Sequence, residues 1–553
     1  MTDMTTHQEP TSDISGSGAA TKELARMPLL FGMLLFFCAL AFYYLAVLNI
    51  DYSKTALLDL GPYPDAVEYF AQAKAMLKAR RPAIQIGYDK LPSRYPPGYP
   101  ALMLPWMKIL SPQDAVLAPF RTNQTIGLVL LFSVFGFYLY LGMPLAGGCA
   151  TLLLSTLPCF FTFCRSSMSE ISAATLVVLA FMFTYLGLAE GRRWKIYLSA
   201  AFLGLSLNIR TQNIFFAPLL LAIALFPTKG SRLKWFLHCA AVVVVFALAG
   251  GPVPVLNTIQ FHSPLKSGYD FWIPQFSELL SPRYLPINAH ELWKRFALSQ
   301  KPFEVANIFG TGTVFVPAFG ALVLVGLCFL RINRFVICAL LACVSFLIMT
   351  TSYKIFDSRF YLPLLIVLVA VAVLPLTWAA KSLLVKKHAV AALAIFILFV
   401  AVCLGYPSRS GYNPGKAGRS QAWDALHFTA TRRQSDRFLA QKHFVERFGE
   451  ESGIVLSDID PAYLNALFPE GMTAAPLDER HHYRHSKLWR YDRLQALALV
   501  TSGLQRALPI YALFTSMEDL NTQRDRLPSV PRYEWVLAES PTADAAILKL
   551  SSK

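Results

Sequence analysis

Residues 64–69 read Pro-Asp-Ala-Val-Glu-Tyr and residues 95–100 read Tyr-Pro-Pro-Gly-Tyr-Pro, in a polar stretch between two apolar runs. Asp65, Glu68 and Tyr69 share one face of a predicted helix, because residues three and four apart are neighbours on a helix. The prolines of 95–100 predict a non-helical re-entry into apolar sequence. Carboxylates this close to a membrane surface are costly unless they have a partner or a task. The chemistry of the protein is therefore expected in this segment.

The composition excludes an ordinary soluble enzyme. Of the 553 residues, 55% are hydrophobic and 15% are charged, and the mean hydropathy is +0.45. Apolar runs long enough to cross about 30 Å of hydrocarbon recur before residue 406. The chain is therefore predicted to be an all-α polytopic membrane protein with about eleven transmembrane helices. The predicted spans are 28–48, 122–141, 144–163, 171–189, 196–209, 213–226, 235–256, 308–330, 335–351, 360–380 and 388–405.

Basic residues predict the orientation of these helices. Four short loops carry an excess of Lys and Arg, which is typical of the cytoplasmic side of a membrane. The N-terminal tail, residues 1–27, is then cytoplasmic and is predicted to be disordered, whereas loops 51–121 and 257–307 face outward. Residues 28–405 form the membrane domain, and the expected location is the inner membrane of the cell. The cytoplasmic loops are 190–195, 229–234, 331–334 and 381–387.

The C-terminal part, residues 406–553, differs in composition and is predicted to be a small α/β domain on the extracytoplasmic, periplasmic side. Pro and Gly residues at its start mark a linker. All nine cysteines lie between Cys38 and Cys403, so an ordinary apolar core must hold this domain together without disulfides. Helices are predicted at 432–448, from residue 461 and at 491–502, and strands at 454–457, 509–514, 533–538 and 545–550.

The net charge of +16 does not indicate nucleic-acid binding. Basic and acidic residues nearly cancel after residue 405, so most of the excess lies in the membrane domain. There it suits cytoplasmic loops and a phosphate-binding cavity. The sequence has no glycine-rich nucleotide-binding loop preceded by a strand. No nucleic acid and no nucleotide is therefore expected as a partner.

Four more ionisable residues lie at the predicted external edge of the membrane. Glu170 begins the fourth span, Arg210 lies between two short spans, and Lys354 and Arg359 lie at the start of the tenth. Such residues must face a cavity or a partner rather than lipid. They are expected either to converge on one external cavity or to form internal ion pairs.

Simpler roles stay open for individual residues. Asp65 lies in the first turn of its helix, where the helix dipole favours a negative charge whatever the chemistry. Arg94 lies at the interface, where an arginine often extends its charge to water without binding a ligand. Asp357 and Arg359 are close enough in sequence to form a local ion pair.

Taken together, these segments resemble the GT-C superfamily of integral-membrane glycosyltransferases. The nearest likenesses are to protein O-mannosyltransferases, lipid A aminoarabinose transferases and polyprenyl-phosphate-dependent galacturonosyltransferases. The likeness covers most of residues 28–405 and rests on the order and shared sidedness of short motifs. The segments that carry it are 65–69 with Ala73, 94–100, 167–170, 204–210, 257–269 and 357–363.

The resemblance implies a reaction and a site. A sugar moves from a polyprenyl-phosphate donor to a hydroxyl group of a glycan, lipid or protein acceptor at the external face of the bilayer. Asp65 corresponds to the catalytic first-loop carboxylate and Glu170 to the second-loop acid. Glu68 is the next acid after Asp65, where the family more often has adjacent Asp and Glu, and this departure leaves a divalent metal ion open as a cofactor. The remaining expected site residues are Arg94, Arg210, Lys354 and Arg359 for phosphate, and Tyr69, Tyr95, Tyr99, Tyr269 and Tyr361 for the cavity lining.

Two other classes of function stay open. A transporter or lipid flippase would place polar residues near mid-membrane and show duplicated halves, neither of which the sequence indicates. A membrane sensor with an external ligand-binding domain would leave Asp65, Glu170 and the Pro-rich re-entry without a role. Convergence of the ionisable residues on one externally open cavity would favour the transferase.

Overall fold

The computed structural model describes most of the chain, in segments. The predictions for residues 1–17, for most of the span 388–405 and for the linker after it lie outside these segments, as does Asp357. The described residues are 18–50, 65–111, 114–223, 231–273, 279–296, 317–354, 358–385, scattered positions within 391–399, 436–459, 461–468, 471–477, 492–543 and 545–553.

The regular elements among the described residues before residue 400 are helices, apart from one short hairpin. The helices are α1 (Gly18–Tyr43), α2 (Asp65–Ala79), α3 (Gly98–Ile109), α4 (Ala118–Tyr140), α5 (Pro144–Thr156), α6 (Pro158–Cys164), α7 (Glu170–Glu190), α8 (Arg193–Leu207), α9 (Arg232–Gly250), α10 (Pro252–Phe261), α11 (Gly268–Trp272), α12 (Leu285–Phe296), α13 (Pro317–Cys328), α14 (Arg334–Thr351) and α15 (Leu362–Val385). A π-helical turn, Tyr44–Leu48, extends α1, and a 3₁₀ helix, Thr211–Ile223, follows α8. The hairpin consists of β1 (Ile84–Ile86) and β2 (Asp89–Leu91).

Many of these helices are apolar, as a membrane protein requires. Six stretches within the described residues are long and apolar enough to cross a membrane. The other predicted spans are shorter helices or extend beyond the described residues, so the count of about eleven stays a prediction. The six are Met27–Leu48, Asp114–Tyr140, Glu170–Glu190, Arg232–Gly250, Arg334–Thr351 and Arg359–Ala379.

Glycine allows a close helix contact in the membrane domain. Helices α1 and α5 approach so closely at Gly32 and Gly148 that a Cβ atom added to either would collide with backbone of the other helix. Small residues at a helix crossing let backbones approach and gain packing contacts that lipid cannot replace. The pair α1 and α5 is thus packed tightly at Gly32 and Gly148.

The segment between α1 and α4, which we call the external segment after its predicted side of the membrane, contains α2, the hairpin and α3. Asp65 and Glu68 lie in the first turn of α2, where the helix dipole favours acids. The prediction that residues 95–100 are non-helical is wrong for their second half, since α3 begins at Gly98 and contains Pro100. A proline in the first turn loses no hydrogen bond, because the first backbone N–H groups of a helix have no partner within it.

The C-terminal domain is the predicted α/β unit, built on a five-stranded sheet. Its elements are α16 (Asp436–Phe448), β3 (Gly453–Ser457), α17 (Pro461–Leu467), β4 (Met472–Pro476), α18 (Arg493–Gln505), β5 (Ile510–Phe514), α19 (Met517–Gln523), β6 (Tyr533–Thr542) and β7 (Ala545–Ser552). The strand order is β4-β3-β5-β7-β6, with β3 parallel to β4 and β5, and with β7 antiparallel to β5 and β6. Strand β4 was not predicted, because Met-Thr-Ala-Ala-Pro carries little strand propensity.

The C-terminal domain docks on the external segment through α17 and β4. Asn465 donates to the backbone carbonyls of Gln85 and Ala474 (both 2.9 Å) and accepts from the Ala474 N–H (2.7 Å). The Gly87 N–H donates to the Ala474 carbonyl (2.8 Å), so the hairpin is tied to the edge of the sheet. The Lys74 ammonium donates to the carbonyl of Phe468 (3.2 Å) and to that of Ala466. We call these contacts the domain joint.

Replacing Asn465 tests the domain joint. The variant Asn465→Ala removes the hydrogen bonds of Asn465 to the Gln85 carbonyl and the Ala474 N–H, and loss of such partners typically costs about 1–3 kcal/mol. The Ala474 carbonyl keeps the Gly87 N–H. We expect a lower unfolding temperature of the purified full chain and faster proteolysis near residue 465. The control is Asn521→Ala in α19, where the side chain is exposed. Equal stability of the two variants would contradict the role given to Asn465.

Candidate active site

Four charged residues from distant parts of the chain meet at the ends of helices. Asp65 and Glu170 are the first residues of α2 and α7, Arg210 follows α8, and Arg359 precedes α15. Arg359 Nη1 lies 3.0 Å from Asp65 Oδ2, and its Nε lies 3.7 Å from Glu170 Oε1. Arg210 Nη1 contacts the same oxygen of Glu170. We call these four residues the acid–arginine cluster.

The cluster is charge-balanced and largely shielded from solvent. The Glu170 side chain is only 1% exposed, which is tolerable because two guanidinium groups face it. Phe360 lies beneath both arginines, with its ring centre 5.4 Å from Arg210 Cζ and 5.2 Å from Arg359 Cζ. The two cations are therefore held side by side, as two of the expected phosphate ligands should be.

The turn before Glu170 is held by hydrogen bonds from neighbouring helices. Asn123 of α4 donates to the backbone carbonyls of Ser166 (2.8 Å) and Met168 (2.6 Å). The Ser169 hydroxyl lies 3.0 Å from the Tyr69 hydroxyl of α2. These bonds fix where α7 begins and thus where the Glu170 carboxylate lies.

A close backbone approach places Arg210 beside the external segment. The Gly98 N–H donates to the Asn208 carbonyl (2.7 Å), and a Cβ added at Gly98 would collide with that carbonyl. Asn208 in turn donates to the Ala249 carbonyl (2.7 Å) and accepts from the Val253 N–H (3.2 Å). The glycine of the 95–100 motif therefore has a specific task, since any side chain would push the turn before Arg210 away.

Glu68 and Arg94 form a buried pair with each other. Glu68 is fully buried, and its carboxylate accepts from the Arg94 N–H (2.5 Å), Nε (2.7 Å) and Nη2 (2.5 Å) and from the Ser93 hydroxyl (3.0 Å). This set occupies both carboxylate oxygens. The geometry favours a clamp that holds residues 93–95 against α2 over the catalytic and phosphate-binding roles expected from the sequence.

A cavity of about 560 Å³ opens beside the cluster, a size within the range of about 300–1,000 Å³ common for small-molecule sites. Tyr95 and Tyr269 meet edge to face in its wall, with ring centres 5.5 Å apart. Burial, together with the nearby charge of Asp65, raises the pKa of both phenols, so both stay neutral hydrogen-bonding groups. Its other lining residues include Gln72, Ser93, Arg94, Arg210, Gln212, Asn257, Tyr353 and Phe360.

The other expected lining residues lie elsewhere. Tyr69, Tyr99 and Tyr361 are at most 2% exposed and belong to the main hydrophobic core rather than to the cavity wall. Tyr69 packs edge to face on Tyr99 (5.1 Å) and supports Tyr95 from behind (4.6 Å). Lys354 is exposed just after α14.

Gln72 is a cavity residue that the sequence interpretation did not select. It is 1% exposed and donates to the Tyr95 carbonyl (3.3 Å), while its Oε1 has no hydrogen-bond partner among the described residues. A buried acceptor without a partner at a cavity wall is suited to a ligand hydroxyl. Its position seven residues after Asp65, on the same helix face, was the available signal.

The residues of the site do not form a metal centre. No group of three or more His, Cys, Asp or Glu side chains occurs within the described residues. The two carboxylates of the acid–arginine cluster are both engaged by guanidinium groups. Among the described residues, the metal ion left open by the sequence therefore has no set of three such donors.

Solved structures of other proteins share this fold, and the predicted architecture of apolar helices followed by a C-terminal sheet domain is confirmed, whereas the count of about eleven spans stays a prediction. One solved structure with this fold is ArnT from Cupriavidus metallidurans bound to undecaprenyl phosphate, which aligns with a TM-score of 0.60 at 11% identity over 97% of this chain and 98% of that one. Its apo form gives a TM-score of 0.59 at 12% identity, covering 96% and 98% of the two chains. The Archaeoglobus fulgidus oligosaccharyltransferase tethered to an acceptor peptide gives 0.52 at 13% identity, covering 96% of this chain and 74% of that one. No protein-family model and no curated protein sequence matches the chain.

Breaking the Glu68–Arg94 pair tests its role as a clamp. The variant Glu68→Gln keeps the side-chain shape but removes the carboxylate that the buried Arg94 guanidinium contacts, and breaking a buried pair in this way typically costs about 3–5 kcal/mol. We expect a marked fall in the unfolding temperature, partly recovered in the double variant Glu68→Gln/Arg94→Gln.

The matched control is Glu446→Gln, which removes one partner of the exposed Lys442–Glu446 pair. It should leave stability almost unchanged. If Glu68→Gln is as stable as this control but inactive, Glu68 acts in the chemistry and the clamp is refuted.

Proposed function

We propose that this chain is a membrane glycosyltransferase that moves a sugar from a polyprenyl-phosphate donor to an acceptor hydroxyl. The observation that carries this proposal is the convergence of Asp65, Glu170, Arg210 and Arg359 beside a half-open, aromatic-lined cavity. The fold gives independent support, because one solved neighbour holds undecaprenyl phosphate and another an acceptor peptide.

Asp65 is the proposed general base. The acceptor oxygen forms a bond to the anomeric carbon of the sugar, and its proton passes to the Asp65 carboxylate. The bond between that carbon and the phosphate oxygen breaks, and the lipid phosphate leaves with the bonding electrons. The Asp65 side chain is 16% exposed and contacts Arg359, while Arg210 is the cluster residue that lines the cavity itself.

Arg210 and Arg359 are the proposed ligands of the departing phosphate. Guanidinium groups bind phosphate oxygens through charge-assisted hydrogen bonds, and fixed cations stabilise charge that develops in the transition state. In the ligand-free arrangement both arginines are paired with carboxylates, so donor binding exchanges part of these contacts for phosphate. Glu170, nearly completely buried between them, orients the two arginines and is the second acid of the site.

The remaining site residues receive supporting roles. Gln72, Tyr95 and Tyr269 offer amide and phenol groups to sugar hydroxyls from the cavity wall. Lys354 is exposed, so it can contact anionic groups at the membrane surface. The Glu68–Arg94 clamp keeps Tyr95 in place.

The proposal also covers location and partners. The reaction takes place at the external face of the inner membrane, with the N-terminus in the cytoplasm and the C-terminal domain in the periplasm. The acceptor is a glycan, a lipid or a protein. A transporter fits less well, because the cluster lies at helix ends rather than midway along the helices.

The variant Asp65→Asn tests the base directly. The amide keeps the contact with Arg359 but accepts a proton poorly, so transfer should fall by about 10²–10⁴-fold. The measurement is transfer of labelled sugar in membranes supplied with polyprenyl-phosphate sugars. Asp114→Asn is the control, because Asp114 is an exposed acid in the same external segment. Equal transfer by wild type and Asp65→Asn would move the base to Glu170 or Glu68.

Removal of divalent metal ions should leave this activity unchanged. The described residues offer no three-ligand site, and the arginines already provide the positive charge that phosphate departure needs. Transfer is measured before and after dialysis against a chelator, with zinc, magnesium and manganese added back separately. A loss that one metal restores would show that the acid–arginine cluster is an incomplete account of the site.

A further inference from the structure

A second cavity, of about 320 Å³, lies at the domain joint. The wall contributed by α2 includes Lys74 and Lys78, and the opposite wall includes Asn465 of α17. Lys74 is about half a turn around the helix from Asp65, whereas Gln72, in the wall of the active-site cavity, shares the Asp65 face. The two cavities therefore lie on different sides of the same helix.

The lining of this cavity is strongly basic. Arg81 and Lys90 join the two lysines of α2, and no carboxylate lies among the described residues of the lining. None of the four cations forms an ion pair with a described residue. Four like charges around one half-enclosed space repel one another, and an anion placed between them relieves that repulsion.

The surroundings of Lys74 disfavour its protonated form. Its burial, together with the positive charge of Lys78, lowers the pKa of the Lys74 ammonium from 10.5 to about 7. The backbone carbonyls of Ala466 and Phe468 accept two of its three donor hydrogens. The third donor remains for a ligand in the cavity.

We propose that this cavity binds a phosphate group, and that the bound group fastens the C-terminal domain to the helix that begins with Asp65. A phosphate offers several acceptor oxygens and more than one negative charge, which suits three lysines and an arginine better than a single carboxylate does. The ligand would contact α2 and the hairpin on one side and α17 on the other. Its source is either free phosphate or the headgroup of an anionic phospholipid.

Binding is tested on the detergent-purified full chain with inorganic phosphate and with sulfate, by calorimetry and by the shift in unfolding temperature. The triple variant Lys78→Gln/Arg81→Gln/Lys90→Gln removes exposed cations and should weaken binding at least about tenfold. Arg80→Gln is the matched control, because Arg80 is exposed, adjacent in sequence and absent from the lining. It should bind as wild type does, and so should the charge-keeping Lys78→Arg/Lys90→Arg. Equal binding by the triple variant, or none by wild type, would overturn the proposal.

Sulfate is the suitable probe for the contribution of Lys74, because the charge of the sulfate ion is constant near neutral pH. The other basic groups of the lining are Lys78, Arg81 and Lys90, and α17 and β4 present the uncharged Asn465 and Thr473. Lys74 is protonated below its pKa, so sulfate should bind more tightly at a pH of about 6 than at about 8. Constant affinity, or tighter binding at the higher pH, would exclude Lys74 from the site.

Hydrogen exchange tests whether the bound phosphate group holds the C-terminal domain against α2. Saturating phosphate should slow backbone exchange of residues 461–468, and unchanged exchange would refute the coupling to the C-terminal domain.

The source of the phosphate group is determined by competition with vesicles. Displacement of sulfate by phosphatidylglycerol but not phosphatidylcholine assigns the site to an anionic headgroup, and no displacement assigns it to free phosphate. None of these readouts needs sugar transfer, so they stand or fall apart from the proposed enzyme activity.

Discussion

Arg359 is the residue on which the candidate site depends, because it joins two acids from opposite parts of the membrane domain. It lies 294 residues from Asp65 in the sequence and 3.0 Å from it in the fold. The same guanidinium reaches Glu170, which also contacts Arg210. The site therefore exists only when α2, α7, α8 and α15 are all in place, and loss of one charge leaves the others buried and uncompensated.

Backbone contacts, rather than long side chains, set the positions of these helices around the site. Gly98 touches the Asn208 carbonyl, and a Cβ added at Gly268 would overlap the Ser93 carbonyl beside the Glu68–Arg94 clamp. A site supported by such close contacts has little freedom to move, which is the condition for fixed charges to stabilise a transition state. The domain joint adds to this support, because the C-terminal domain contacts Lys74 on the helix that begins with Asp65.

The helical architecture was largely predictable because long apolar runs predict membrane helices, whereas the orientation drawn from the basic loops stays a prediction. The acid–arginine cluster was also predictable, because a charge at a membrane edge needs a partner. Which charged residues pair with each other was not predictable. The sequence interpretation assigned Glu68 and Arg94 each to the reaction, but in the structure they bind one another. The short strand β4 was missed because its sequence carries little strand propensity. Gln72 was missed although it shares a face of α2 with Asp65.

The most direct test of the central claim is the affinity of the purified protein for undecaprenyl phosphate. Arg359→Gln should bind this lipid at least about tenfold more weakly than wild type, because a charge-assisted contact to phosphate is lost. Lys108→Gln, which removes an exposed cation from α3, should bind as wild type does. Equal affinity of all three proteins would contradict the account, since the acid–arginine cluster would then not be where a lipid phosphate binds.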